Sequence, residues 1–237
     1  MSVSETQMHL IISPKIGIAA LSLLLGVLLV VLLVPRIIAE VLMLPGNRVL
    51  PMMGDAKGPT DKELALFIAS RQRSLPWSGS ARLRTDLGSA QLLQLRDVAG
   101  GGPRYHEEMA ESLKILREGL ARAPGNPYAW TKLAYASLVD QTPPRRVVPL
   151  LEMAIRTAPV ETPLTFARLQ LCLIEWDYFP ASSRPLLNKQ LRLAWAQSAD
   201  EITWLARATN RIDPLRQALP EQERSTLDRR LKGPEQR

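Results

Sequence analysis

The chain is poor in the residues that most chemistry needs. It has one cysteine and two histidines in 237 residues, and only 5% of it is aromatic. One thiol excludes an intramolecular disulfide and does not discriminate a reducing from an oxidising compartment. Cys172 sits in the apolar stretch Leu169-Gln170-Leu171-Cys172-Leu173 and reads as a small buried hydrophobe. One Cys and two His do not make a typical structural zinc site. His9 precedes a long apolar run. His106, in Tyr105-His106-Glu107-Glu108, lacks the second histidine four residues on that a zincin helix requires and reads as a surface residue at a helix start. Gly100-Gly101-Gly102 lacks the Lys-Ser/Thr of a phosphate loop and reads as a flexible turn. His106 is the sole base available for a Ser–His–Asp arrangement, and no carboxylate pair stands out. The expectation is a non-enzyme with no metal and no cofactor. Few aromatics and no binding motif argue against nucleic acid. Runs of β-branched residues are also scarce, which excludes a sheet protein.

What is present begins with nineteen uncharged, mostly aliphatic residues, Ile16 to Val34. As a helix they reach roughly 28 Å, close to the ~30 Å of a bilayer's hydrocarbon core. A cleaved signal peptide is the competing reading, but the run exceeds the usual h-region and no small-x-small site follows. An uncleaved anchor is expected. The amphipathic continuation Arg36 to Leu44 suits the membrane interface. Lys15 on one side and Arg36 and Arg48 on the other leave the positive-inside rule nothing to act on.

The net charge is +7, and all of the excess lies outside the apolar run. Basic residues gather late in Arg207, Arg211, Arg216, Arg224, Arg229, Arg230, Lys232 and Arg237. Such a tail suits an anionic lipid surface or an acidic polymer, with a solvated helix face as the plain alternative.

Nineteen prolines punctuate stretches of helix-forming residues. Three segments share a pattern: Ser112-x3-Leu116-x2-Gly119-x4-Pro124, Val147-x3-Leu151-x2-Ala154-x4-Pro159 and Leu187-x3-Leu191-x2-Ala194-x4-Ala199. The mid-helix small residue admits a neighbouring helix, and the proline starts the next unit. Between the first two lies Pro124-Gly125-Asn126-Pro127-Tyr128-Ala129-Trp130-Thr131-Lys132-Leu133-Ala134. Here the chain resembles the tetratricopeptide repeat, whose 34-residue unit carries Trp-x2-Leu-Gly-x2-Tyr and then Ala-x3-Phe-x2-Ala-x4-Pro. Trp130, Leu133 and Ala134 take the first positions, and Ser137 replaces the tyrosine. Phe166 and Leu169 take them in the next unit, with Gln170 departing from the small-residue position. Leu87-Gly88 takes them in the preceding unit, where Arg84 stands for the aromatic and the insertion Ala99-Gly100-Gly101-Gly102-Pro103 lengthens the turn. Trp130 is expected in the core. A non-repeat helical bundle is the alternative.

The fold expected is therefore all-α, an N-terminal transmembrane helix followed by a tetratricopeptide-like repeat array. Residues 1–34 form tail and anchor, 35–59 a juxtamembrane amphipathic segment and linker, 60–219 the repeats and 220–237 a basic tail. Stacked hairpins of this kind build a continuous core and a concave surface that binds partners. Carried over by position, the groove would be lined by Arg82, Thr85 and Ser89, by Tyr128, Thr131 and Tyr135, and by Leu164, Ala167, Leu171 and Glu175, with ordinary packing as the competing role. Trp176-Asp177-Tyr178-Phe179-Pro180 reads as a packed helix end. The order of anchor, LPGNRVL, PGNPYAW-x2-LAYASL and WLARATNRIDPLRQAL is similar to VpsP-type proteins, membrane-anchored repeat proteins of exopolysaccharide biosynthesis and export. That resemblance implies a single-pass protein of the bacterial inner membrane, with its repeats in the periplasm, acting as a scaffold for protein partners of the polysaccharide machinery. A general envelope adaptor and a glycan-acting enzyme are the alternatives.

Overall fold

The computed structural model describes residues 14–54, 58–95 and 102–232. Among them are eleven α-helices and no strand, as the composition required. Helix α1 is Pro14–Asn47, α2 Asp61–Ser74, α3 Ala81–Leu95, α4 Pro103–Arg122, α5 Pro127–Val139 and α6 Pro144–Thr157. The chain continues through α7 Thr165–Ile174, α8 Arg184–Gln197, α9 Ala199–Ala208, α10 Ile212–Ala218 and α11 Glu221–Lys232. Local chemistry sets many of the boundaries. Thr60 and Glu63 form a reciprocal capping box that opens α2. Asn126 caps α5 with Pro127 at the first helical position, and proline also occupies the first turn of α4, α6 and α8. Helices α5 and α9 end in Schellman motifs. Thr142 N donates to Ser137 O and Arg211 N to Ala206 O, across Gln141 and Asn210 in the left-handed region.

Successive helices pack as hairpins: α1 on α2, α3 on α4, α5 on α6, α7 on α8, and α9 on α10 and α11. The first helices of successive hairpins also touch, α3 with α5, α5 with α7 and α7 with α9, so the hairpins stack in one direction. The core follows the stack. One apolar cluster joins Val49, in the turn after α1, to α2 and α3, a second joins α3 to α5, and a third runs from α5 to α11. The three matching segments occupy equivalent places. Ser112, Val147 and Leu187, then Leu116, Leu151 and Leu191, then Gly119, Ala154 and Ala194, are all buried on α4, α6 and α8. The small residue has the reason expected of it at Gly119, where a Cβ would lie 2.7 Å from Thr85 Cγ2 and 3.2 Å from Ala81 O. Gly88 approaches α4 from the other side, where a Cβ would lie 2.8 Å from Leu116 Cγ and 3.1 Å from Ser112 O. The α3–α4 crossing is thus a backbone contact through two glycines.

Helix α1 holds the one helix, among the described residues, long and apolar enough to cross a membrane, with a mean hydropathy of 3.0. Its most apolar 18 residues are not covered by the rest of the protein. The structure differs from the expected juxtamembrane segment. Residues 36–47 continue the same helix, and Ala39 and Met43 are buried against α2 rather than free to lie along an interface. The reason is a dense set of contacts. Ser74 Oγ donates to Ala39 O at 3.1 Å, and Arg71 Nη1 donates to Met43 O at 3.2 Å. Gly46 lets the two helices close, since a Cβ there would strike Ser70 Oγ and reach within 2.7 Å of Arg71 Nη1.

The basic tail is also reassigned. Residues 221–232 form α11, which packs on α9 with Leu227 fully buried. Its neighbours spend their cations internally. Arg207 Nη2 donates to Arg230 O and Leu231 O at 3.0 and 2.7 Å, ending α11. Arg216 pairs with Asp228 and Asp213, Arg224 donates to Leu219 O, and Arg230 pairs with Asp200. Arg207 and Arg224 thus cap helix ends, while Arg229 and Lys232 remain exposed. The glycine-rich insertion at 99–101, His9 and Arg237 lie outside the described residues.

Candidate functional site

The face shared by the first helices of the hairpins, α3, α5, α7 and α9, carries the groove positions expected from the repeat. Burial fixes their register. On α5, Ala129, Leu133, Ala134, Ala136 and Ser137 are buried. A step of 35 residues carries them onto Leu164, Arg168, Leu169, Leu171 and Cys172, all buried, and carries buried Thr131 onto the partly buried Phe166. The same step carries the exposed Tyr135 and Val139 onto the exposed Gln170 and Ile174. A further step of 34 residues leads to Trp204 and Ala208, also exposed, between buried Thr203, Leu205 and Ala206. Leu87-Gly88 matches Leu133-Ala134, so Ser89 and Leu93 of α3 fall in the same two rows, but there Ser89, another expected groove position, is buried and Leu93 is partly covered.

This register corrects the sequence-derived one on α7, which ran one residue late. Leu164, Leu171 and Glu175 are buried instead of facing a groove. Ala167 is exposed. The late register came from aligning Phe166 with Trp130, because an aromatic was the most visible landmark. Gln170 at a supposed small-residue position was the signal that could have found the error. Thr85 and Thr131 also turn inward: each is buried, and their hydroxyls donate to Arg82 O at 3.0 Å and Pro127 O at 2.8 Å. Thr and Ser satisfy themselves on the preceding turn in this way when no solvent is available. Arg82, Tyr128 and Tyr135 are exposed. Tyr128 is tethered, its hydroxyl donating to Glu161 Oε1 at 2.7 Å, and that bond pushes its ionisation above the ordinary tyrosine value. Trp130 is half-buried, not a core residue. It packs on the second cluster and its indole N–H donates to Pro124 O at 2.7 Å.

Trp204, which sequence reasoning left out, completes the face. It is 63% exposed, and the expected Tyr135 is 54% exposed. Beside Tyr135 a cleft of about 340 Å³ opens between α3, α4 and α5, lined by Leu92, Leu93, Met109, Val139 and Lys132 among others. Burial lowers the Lys132 ammonium below the usual lysine range, and nearby Asp86 opposes that shift. The cleft is therefore apolar with one cation in its wall, a lining suited to holding a side chain or small apolar group.

Two other sites carry no chemistry of this kind. Cys172 is fully buried, and burial pushes its thiol up to about 12, so it is packing. At the end of α7, Trp176 and Phe179 are buried and the Arg184 guanidinium stacks 4.3 Å from the Trp176 ring centroid, so this cluster is a packed terminus. Among the described residues no group of three His, Cys, Asp or Glu is arranged to hold a metal ion. The chain matches no family model and no curated protein.

Proposed function

We propose that this chain is a membrane-anchored scaffold that holds a protein partner along the shared face of α3, α5, α7 and α9. One observation carries the reading. Tyr135, Trp204, Val139 and Ile174 are large apolar side chains left exposed in matching positions on adjoining helices. Exposed aromatics gathered on one face are the usual anchors of an interface, and isolated exposed apolar residues would not fall in register. The resemblance noted above supplies the setting: a bacterial inner membrane, repeats on the periplasmic side, and a partner from exopolysaccharide assembly or export. The protein acts in this reading by positioning, without chemistry of its own.

The test is a Tyr135→Ala, Trp204→Ala variant of the full chain, compared with wild type for partner crosslinking in cells and for polymer export. Both side chains are exposed, so the fold should survive, and the melting curve checks that it does. The expected result is loss of a specific crosslinked partner and of export in a folded, membrane-bound variant. Normal capture and export would refute the face. A reporter enzyme active only in the cytoplasm, if active at the C-terminus, would reverse the orientation.

A further inference from the structure

The α2–α3 turn has no role in the partner face, yet its place relative to α1 is fixed closely. We propose that this turn, through Trp77, is a second membrane contact seated in the headgroup layer of the bilayer that α1 crosses. The proposal rests on α1 being a membrane span.

The register of α1 on α2 carries the argument. Ala39 O accepts from Ser74 and Met43 O from Arg71. Position rises along α1 as it falls along α2, so the helices run antiparallel and the C-terminal end of α2 points back toward the apolar stretch. The uncovered apolar run ends at Val34, where Pro35-Arg36 follows. Ala39 stands five residues further, about 7.5 Å along the axis. Beyond Ser74 the chain stays in a tight turn, with Trp77 N donating to Ser74 O at 3.0 Å. Three residues of such a turn lead back about 4.5 Å, which sets Trp77 within roughly 3 Å of the level of Val34. That is the boundary between hydrocarbon and headgroups. Pro35 admits a bend in α1 there. A bend at that point swings the far hairpins most and this turn least, because the turn lies beside the pivot.

The chemistry of the turn suits that depth. Trp77 is 45% exposed, whereas its neighbour Leu75 packs on the first core cluster. An indole has an apolar body and one N–H, the combination enriched where bilayer meets water. Arg36, Arg73 and Arg82 are exposed around it. Glu40 and Asp86, the latter beside Arg82, are the carboxylates next to this stretch, and Arg36, Arg73 and Arg82 outnumber them, so the local charge is net positive and favours anionic headgroups. Anchored by α1 and by this turn, the domain would hold one orientation above the membrane.

The experiment uses the full chain in vesicles of phosphatidylcholine and phosphatidylglycerol that contain headgroup-nitroxide lipid. A fluorescent label is attached at Gly79→Cys, which keeps Trp77 and adds a Cβ with no atom within 4 Å. A second protein carries the label at Trp204→Cys, three hairpins away. Cys172 is fully buried and stays unlabelled. The expected result is that both proteins float with the vesicles and the label at 79 is quenched about threefold more strongly than the label at 204. Adding Trp77→Ala to the first should weaken the quenching while the melting curve holds. Protein that floats but shows equal quenching at the two positions overturns the membrane contact alone. Protein that does not float overturns the membrane span and this proposal with it.

Discussion

Arg71 and Arg168 are the two largest side chains sealed inside the molecule, and each meets its surroundings differently. Arg168 serves one hairpin. Its Nη1 donates to Ala154 O and Ala158 O at 2.8 and 2.7 Å, closing the end of α6 from the start of α7. Its hydrogen-bond acceptors are backbone carbonyls, Glu161 O included. Arg71 serves a junction. It reaches Met43 O and Asn47 on α1, Ser70 on α2 and the Asp86 carboxylate on α3, with Phe67 stacked 3.8 Å beneath it. Within the stack, then, a buried cation is a helix cap that neighbouring hairpins supply one another. Where the apolar helix joins the stack, the cation needs a charged partner and couples three helices. Burial lowers both guanidinium groups from the usual arginine value, but Asp86 opposes that shift at Arg71.

Removing each cation tests this contrast and carries the largest expected effect. Arg71→Met should cost about 3–5 kcal/mol, because Asp86, with a side chain 20% exposed, loses its closer ion partner and keeps only Arg82 at 4.0 Å, and three acceptors lose a donor. Arg168→Met should cost about 3 kcal/mol through orphaned carbonyls alone. Asp86→Asn should recover part of the first loss and none of the second. Denaturant unfolding of the three single variants and the two doubles with Asp86→Asn measures it. Strict additivity of Arg71→Met with Asp86→Asn, to within about 0.5 kcal/mol, would show that the two do not act as a pair.

The glycine crossing sharpens the comparison at the level of backbone spacing. Gly119 meets α3 so closely that a methyl group has no room, whereas Ala154 and Ala194 occupy the same place in later hairpins. Gly119→Ala should destabilise by about 1–3 kcal/mol even though alanine is the better helix former. Ala154→Gly should cost about 1 kcal/mol. A neutral or stabilising Gly119→Ala, seen as a raised melting temperature, would mean that the α3–α4 hairpin packs no more tightly than the others.

Glu175 is the third buried ion, and it has neither a counter-ion nor a cap. It is 8% exposed and its Oε2 lacks a hydrogen-bond partner among the described residues. Burial raises its carboxyl above the ordinary glutamate range. A group raised in the folded state disfavours its charged form there. Stability is therefore greatest below the unfolded value of about 4.3, falls as pH rises through the raised folded value, and stays reduced above it. Glu175→Gln should raise the melting temperature at pH 7 and leave it unchanged near pH 4. A gain of equal size at both pH values would exclude desolvation of the charge as the cause.

These sites show what a linear pattern can carry. The apolar run, the helix boundaries at Pro103, Pro127 and Pro144, and the buried triplets such as Val147, Leu151 and Ala154 were legible because periodicity and proline chemistry are local. Exposure was legible on α5 for Tyr128 and Tyr135, which lie a turn or two from the Trp130 landmark, but not for buried Thr131. It was lost on α7, where one residue of register exchanges exposed Gln170 for buried Leu171. Nothing in the pattern marked Arg71 or Arg168, because a charged residue reads as surface until its acceptors are known. The fate of the late arginines was hidden for the same reason. Their carbonyl partners belong to the backbone and leave no trace in residue identity.

The smallest effect expected lies at the hairpin ends, where two units solve the same problem with different residues. Gln141 and Asn210 both hold the left-handed position of a Schellman motif, at φ 57° and 55°. Asparagine visits that region with little penalty, while a longer side chain carries a steric cost of about 1–2 kcal/mol. Glycine removes the cost but gives back part of it as unfolded-chain entropy. Gln141→Gly should therefore stabilise the domain by about 0.5–1 kcal/mol, a rise of a few degrees in melting temperature at this size. Asn210→Gly should gain only a few tenths of a kcal/mol. If Asn210→Gly gains as much as Gln141→Gly, side-chain identity is irrelevant at these ends and backbone geometry alone sets the cost. If Gln141→Gly loses stability, the Gln141 side chain contributes a contact that outweighs its strain.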